Sequence, residues 1–140
     1  LNIKLENNSV DCVITSPPYS FAIDYVENDK EQLEYLGYNT HELKNRMIGL
    51  KGKTTKEKLE NYFADMDTFC FQVSKILKKG KFFTLIIGSN TNQTGGIRLE
   101  ETVINSALNY DMPLVKSIIK PIKGMRNTMK EEYILIFQKK

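Results

Sequence analysis

Thr15-Ser16-Pro17-Pro18-Tyr19 is the stretch of this 140-residue chain whose residue types and order could do chemistry. Ser16 and Pro17 each precede a proline, so steric clash pushes both toward extended backbone, and neither proline has an N–H. The turn is therefore stiff and rich in acceptors, namely the Ser16 hydroxyl and the backbone carbonyls. Such a cluster suits a primary amine on an aromatic ring: it holds the two N–H donors while the nitrogen lone pair is freed from conjugation. That makes the nitrogen nucleophilic. A sulfonium methyl group presented in line would be attacked directly, with positioning and electrostatics supplying the catalysis and no covalent enzyme intermediate. Tyr19 adds an aromatic face on which a ring can stack. Ser-Pro-Pro alone is commonly no more than a turn or a short polyproline segment. What gives it weight here is the strand it follows at once and the order of elements behind it.

The other reactive side chains support no rival chemistry. Cys12 lies in an apolar run and Cys70 in a helical pattern, with no Cys or His at metal-ligand spacing, so both are expected to be reduced, buried thiols and no metal site is expected. His41, the single histidine, sits in a polar helical stretch and is expected at the surface or at a cap. Zinc hydrolase and Ser-His-Asp chemistry are left without support.

The elements that must position the motif follow from pattern. Residues 9–15 (SVDCVIT) are rich in β-branched side chains and stop at the Pro-Pro pair, which predicts a short buried strand. A polar, acidic stretch then predicts a helix at 30–38 and another at 40–47 with Thr40 as N-cap, and KGKTTK at 51–56 predicts a mobile loop. From 58 to 78, Leu59, Tyr62, Phe63, Met66, Phe69, Cys70, Val73, Ile76 and Leu77 recur at helical spacing, with Lys78 and Lys79 suited to the negative helix end and Gly80 just past it. The run KFFTLIIG at 81–88 predicts a central strand covered on both faces. Residues 99–108 predict a helix with Leu99, Val103, Ile104 and Ala107 inward, and strands are predicted at 114–120 and 133–138 as an antiparallel pair. This order is that of an α/β domain.

Composition sets the bounds. With 41% hydrophobic and 26% charged residues the chain fits one globular unit with a moderate core, not a disordered tail. No run approaches the roughly 18 apolar residues of a membrane helix, and a cytoplasmic location is the expectation. The net charge of +3 is unevenly spread: residues 1–70 hold 8 Lys/Arg against 12 Asp/Glu, and residues 71–140 hold 12 against 5. A polyanion approaching the second half would be favoured, although a solvated lysine-rich surface explains the same asymmetry. The chain opens on Leu1, and its first residues read as part of a folded unit, so a segment of a longer chain is expected.

Ile14-Thr15-Ser16-Pro17-Pro18-Tyr19 resembles the catalytic motif of the DNA amino-methyltransferases: Ser, Asp or Asn, then Pro-Pro, then an aromatic residue. The Ser form preceded by Thr resembles the cytosine-N4 branch more than the adenine-N6 branch. Phe21 to Tyr25, Ile76-Leu77-Lys78-Lys79-Gly80 before a strand, and Arg126-Asn127 followed by Glu132-Tyr133-Ile134-Leu135-Ile136-Phe137 extend the resemblance over most of the chain. It implies an α/β fold with the Rossmann-like sheet of a class I methyltransferase, of which residues 1–140 form a partial domain: the catalytic-motif half with its C-terminal antiparallel strands. It implies S-adenosyl-L-methionine as cofactor, double-stranded DNA with a flipped base as partner, and a setting such as restriction-modification. By the same resemblance Ser16 and the Pro17 carbonyl would hold the target amine, Pro18 would fix the turn and Tyr19 would stack on the base. Thr15 would support the loop on the cofactor side, and Lys123, Arg126 and Asn127 would face phosphates.

The sequence also departs from the family pattern. The Gly-rich loop that cradles the methionine end of the cofactor has no counterpart, and Gly95-Gly96 follows a polar loop and opens no ribose-binding signature. The cofactor-binding half is expected in the same gene product or a partner chain, and this segment alone is expected to be inactive. Methylation at cytosine carbon 5 would call for a cysteine directly after a proline, whereas Cys12 follows Asp11. Action on adenine N6 or on RNA, and a non-catalytic nucleic-acid-binding remnant, stand as alternatives.

Overall fold

The computed structural model describes residues 2–18, 23–88, 94–122 and 131–140. Among these, the strands β1 (Val10–Thr15), β2 (Leu77–Gly88), β3 (Leu114–Pro121) and β4 (Glu131–Gln138) form one sheet in the order β1-β2-β4-β3. β1 runs parallel to β2, whereas β4 is antiparallel to both β2 and β3. Between β1 and β2 lie α1 (Tyr25–Asn28), α2 (Lys30–Tyr35), α3 (Thr40–Arg46) and the long α4 (Thr55–Ile76), and α5 (Leu99–Asn109) connects β2 to β3. The expected α/β order and the antiparallel C-terminal pair are both present.

Period-two alternation divides the sheet into two unlike faces. Phe83, Leu85 and Ile87 of β2 and Tyr133, Leu135 and Phe137 of β4 point to one side, where α4 supplies Tyr62, Met66, Cys70 and Val73 and α5 supplies Leu99, Val103 and Ala107. Phe83 stacks on Phe137 with centroids 5.4 Å apart and meets the edge of Phe69 at 5.9 Å. The inward residues expected on both helices are thus in place, with Phe63, Phe69 and Ile104 half-buried against the core.

The other face is apolar as well but open. Its cross-strand rows are Cys12, Phe82 and Gln138; Ile14, Thr84 and Ile136; and Ile86, Ile134 and Ile118. Ile14 is 72% exposed, Phe82 43% and Ile118 39%. The expectation of a buried first strand is therefore corrected, and with it that of a buried Cys12, which is exposed. The apolar pattern was real, but among the described residues no layer covers that face or pairs with the outer edge of β1.

Helix α4 is fixed at both ends. Thr54 accepts from the Glu57 N–H at 3.2 Å and Glu57 turns back to the Lys53 N–H at 2.8 Å, reciprocal bonds that satisfy otherwise orphaned donors. Gly52 has φ 118°, and a Cβ there would lie 2.9 Å from the Glu57 Cβ and the Lys58 nitrogen, so glycine is required. Lys51 reaches both oxygens of Asp65 at 2.9 Å. The stretch expected as a mobile loop is a bonded helix entry instead. At the far end the N–H groups of Asn8 and Ser9 donate to the Lys75 and Ile76 carbonyls, and Lys139 Nζ donates to the Ser74 and Leu77 carbonyls and to Asn8 Oδ1.

With its last carbonyls taken, α4 ends at Ile76 and passes directly into β2, two residues before the expected boundary. Lys78 belongs to the strand, where it pairs with Asp11 at 2.9 Å. Gly80 takes a left-handed φ of 74°, but within β2, where the register with β1 jumps between Val10↔Leu77 and Cys12↔Phe82. Helix α3 is capped by Asn39, not Thr40, through a 3.1 Å bond to the Glu42 N–H.

Candidate active site at the carboxyl edge of the sheet

Parallel pairing of β1 with β2 brings their carboxyl ends to one edge. Thr15 is level with Leu85, and β2 runs on for three more residues to Gly88. Ser16, Pro17 and Pro18 leave β1 at this edge, with Ser16 exposed and the prolines half-buried. This is the place where open α/β sheets bind ligands. The stiff turn expected from sequence thus follows directly on a hydrogen-bonded strand. Tyr19 lies outside the described residues, as do Lys123, Arg126 and Asn127.

Past the turn, Asp24 caps α1 by accepting from the Glu27 N–H at 2.9 Å, and Lys44 of α3 pairs with Asp24 at 3.0 Å and Glu27 at 2.7 Å. Partial burial of Asp24 works against its charge, but the Glu27 N–H and the Lys44 ammonium outweigh it and leave its carboxyl below the ordinary range. The segment that leaves the motif is in this way tied to α3.

A second cluster at the same edge was not foreseen from sequence. Tyr133 pairs with Ile87, one residue short of the end of β2. Its hydroxyl donates to Glu131 Oε2 at 2.7 Å and receives a bond from Arg98 Nη2 at 3.2 Å. Arg98 Nε donates to Glu100 Oε1 at 2.6 Å, and the guanidinium lies 5.8 Å from the Tyr133 ring centroid. The Glu131 carboxylate, with burial second, pushes the Tyr133 phenol above its ordinary pKa, and Glu100 holds Arg98 more firmly charged. Glu100 is only 3% exposed. Sequence reading would have needed to know that residues 98 and 133 meet, which only the antiparallel return of β4 decides.

A groove of ≈ 570 Å³ opens between α4 (Thr55, Lys56, Leu59, Glu60, Phe63) and Thr94, Gly95 and Ile97. Its lining is mainly apolar, through Leu59, Phe63 and Ile97. Among the described residues no group of His, Cys, Asp and Glu is arranged to hold a metal ion, and no helix is long and apolar enough to cross a membrane.

The sequence profile of the N6/N4-type DNA methylases matches residues 10–140, from the first residue of β1 to the end of the chain. The chain belongs to the N6/N4-type DNA methylase family. Within this DNA methylase chain, 53 residues are 42% identical to the type II methyltransferase M.MjaVI of Methanocaldococcus jannaschii, covering 36% of the chain and 27% of that protein. TTHA0409 of Thermus thermophilus, assigned as a DNA modification methylase, superposes with a TM-score of 0.59 at 19% identity, over 97% of this chain and 48% of that one. The same protein complexed with S-adenosyl-L-methionine gives 0.56 at 17% identity, again over 97% and 48%. The cytosine-N4-specific PvuII DNA methyltransferase gives 0.58 at 15% identity, over 98% and 45%.

These likenesses identify the fold as part of the Rossmann-like class I methyltransferase sheet. The methylase chain spans about half the length of those two solved proteins. The Gly-rich loop missing from the sequence is not found after a described strand either. Gly95 and Gly96 have open space around them, not a neighbour that would call for close backbone approach.

Proposed function

We propose that this chain is the target-base half of an S-adenosyl-L-methionine-dependent DNA methyltransferase that modifies the exocyclic amine of a flipped base, cytosine N4 in first place. The observation that carries the reading is the Ser16-Pro17-Pro18 turn, set by a hydrogen-bonded parallel strand at the carboxyl edge of the sheet. Ser16 Oγ and the Pro17 carbonyl accept the two N–H bonds of the amine, and Pro18 keeps the turn from relaxing. Tyr19 stacks on the extruded base, as enzymes that act on a base inside a duplex require. Lys123, Arg126 and Asn127 face phosphates, which position the duplex without reading its sequence. Thr15 stands on the cofactor side of the turn.

The cofactor supplies the methyl group and is held by a complementary half, in the same gene product or a partner chain. That half covers the open face at Cys12, Ile14, Phe82 and Ile118 and pairs with the outer edge of β1. The exposed apolar side chains across β1, β2 and β3, and the outer edge of β1 that is unpaired among the described residues, support this. The enzyme works on DNA in the cytoplasm, as in a restriction-modification pair.

Nucleoside mass spectrometry of DNA from cells expressing the intact gene product tests the reading, with Ser16→Ala as control. N4-methylcytosine that disappears in the control is the expected result. N6-methyladenine would keep the mechanism and change the base, and methylated RNA would change the substrate. An intact protein that methylates neither nucleic acid is a non-catalytic remnant.

A further inference from the structure

We infer that Arg98 is a positioning residue: it locks the connection between β2 and α5 to the start of β4, and thereby fixes the side of the site that faces the Ser16 turn. The consequence for catalysis rests on the methyl-transfer reading above; the lock itself rests on geometry alone.

The planar fork of Arg98 reaches two elements at once. Nε donates to Glu100 Oε1 in the first turn of α5 at 2.6 Å, and Nη2 donates to the Tyr133 hydroxyl in β4 at 3.2 Å. That hydroxyl in turn donates to Glu131 Oε2 at 2.7 Å, so one oxygen joins the end of one connection to the end of the next. Glu100 is 3% exposed, and its Oε2 has no hydrogen-bond partner among the described residues. A buried carboxylate served at one oxygen is an expensive arrangement that would collapse without its arginine. A lysine could supply the charge but not donors on two separate nitrogens of a rigid plane.

The surroundings favour a lock over a phosphate contact. Among the described residues Arg98 faces Glu100, Glu101 at 3.5 Å and, through Tyr133, Glu131, so its own fork is already engaged by carboxylates. Placement ties the lock to the site. Tyr133 is level with Ile87, whereas Thr15 is level with Leu85, so Pro17, two residues on, leaves the sheet near the level of Tyr133. Two strand spacings, about 10 Å, separate β1 from β4 across β2. An amine held by the Ser16 turn would lie about two strand spacings from this cluster at a similar level of the sheet, and loosening the cluster would change the width of the space between them.

The test uses the intact gene product and two variants that preserve packing or charge. Tyr133→Phe keeps the ring and removes the shared hydroxyl, and Arg98→Lys keeps the charge and removes the fork. Each is expected to lower the single-turnover methyl-transfer rate about tenfold, within the range that small misplacements cost. Cofactor affinity should stay unchanged, and the double variant should be no slower than either single one, as for groups acting through one contact. Rates within twofold of wild type, or losses that multiply in the double variant, overturn the inference. Should Arg98→Lys fail to fold, Tyr133→Phe decides alone. Amide exchange in Tyr133→Phe separates this inference from its parent reading. If the wild type methylates nothing, the methyl-transfer reading and the catalytic consequence fall together. Exchange at Leu99 and Glu132 that rises together in the variant then still establishes the lock, and unchanged exchange refutes it.

Discussion

The two cysteines show how environment divides identical side chains. Cys70 is fully buried in the α4–α5 contact, where burial pushes its thiol up to about 11, partly offset by a hydrogen bond with Ser106. Asp67 anchors the same contact, accepting from Ser106 Oγ at 2.5 Å and from the Tyr110 hydroxyl at 2.6 Å. The folded state keeps the Cys70 proton beyond the ordinary value of 9.0, so on raising the pH the unfolded chain ionises first. The contribution to stability is complete below about pH 9 and is lost as the pH rises toward 11. Melting temperatures recorded from pH 8 to 11 should fall more steeply for the wild type than for Cys70→Ala, and parallel curves would refute this. Residue chemistry was partly legible in the sequence. The Ser16 turn could be read because its constraint is local, written in two consecutive prolines. Arg98, Glu100 and Tyr133 could not, since their meeting depends on how strands return, and nothing in the neighbours of Glu100 announces its burial.

At the scale of elements, α4 carries the argument. Its apolar positions gave its inward face from sequence, because helical spacing is a local property. Its ends were displaced because both are set by partners: Thr54 and Glu57 begin it three residues before the expected start, and Lys139, 62 residues beyond Leu77, helps to end it. Removing the cap in Thr54→Ala should cost about 1 kcal/mol, and Lys139→Met should cost about 1–3 kcal/mol by stripping a charged donor from buried carbonyls. Urea unfolding of each variant checks both, and a Lys139→Met midpoint equal to wild type would show that the N–H groups of Asn8 and Ser9 suffice. By contrast, β1 was correctly read as a strand but wrongly as buried. Its β-branched composition marks a strand but does not decide burial, and among the described residues nothing covers that side of it.

For the whole molecule, the unlike faces of the sheet give a direct test of assembly. Cys12 lies on the open face beside Ile14, and Cys70 in the closed core. In this 140-residue chain, iodoacetamide at neutral pH should label Cys12 and spare Cys70. If the complementary half proposed above covers this face, Cys12 should be spared in the intact gene product, as mass spectrometry of the labelled peptides would report. Equal labelling in both contexts would mean that no further layer lies on that face. Charge was legible only as a sum, since sequence counts the cations of residues 71–140 but not which of them are already paired, as Lys120 is with Glu132 at 3.2 Å.

The bond between Lys139 and Asn8 has one more consequence. It joins residues 131 positions apart at 2.9 Å, on the edge of the sheet away from the Ser16 turn. Head and tail of the fold are thus spatial neighbours, and a linker of a few glycines between Lys140 and Asn8 would close the backbone into a ring. Such a ring can be cut again at Gly37, an exposed turn with φ 81° and nothing within 4 Å of where a Cβ would stand. A rearranged gene of this kind should encode the same sheet with nearly the same melting temperature, and a permuted chain that melts far lower would show that β1 must be made first.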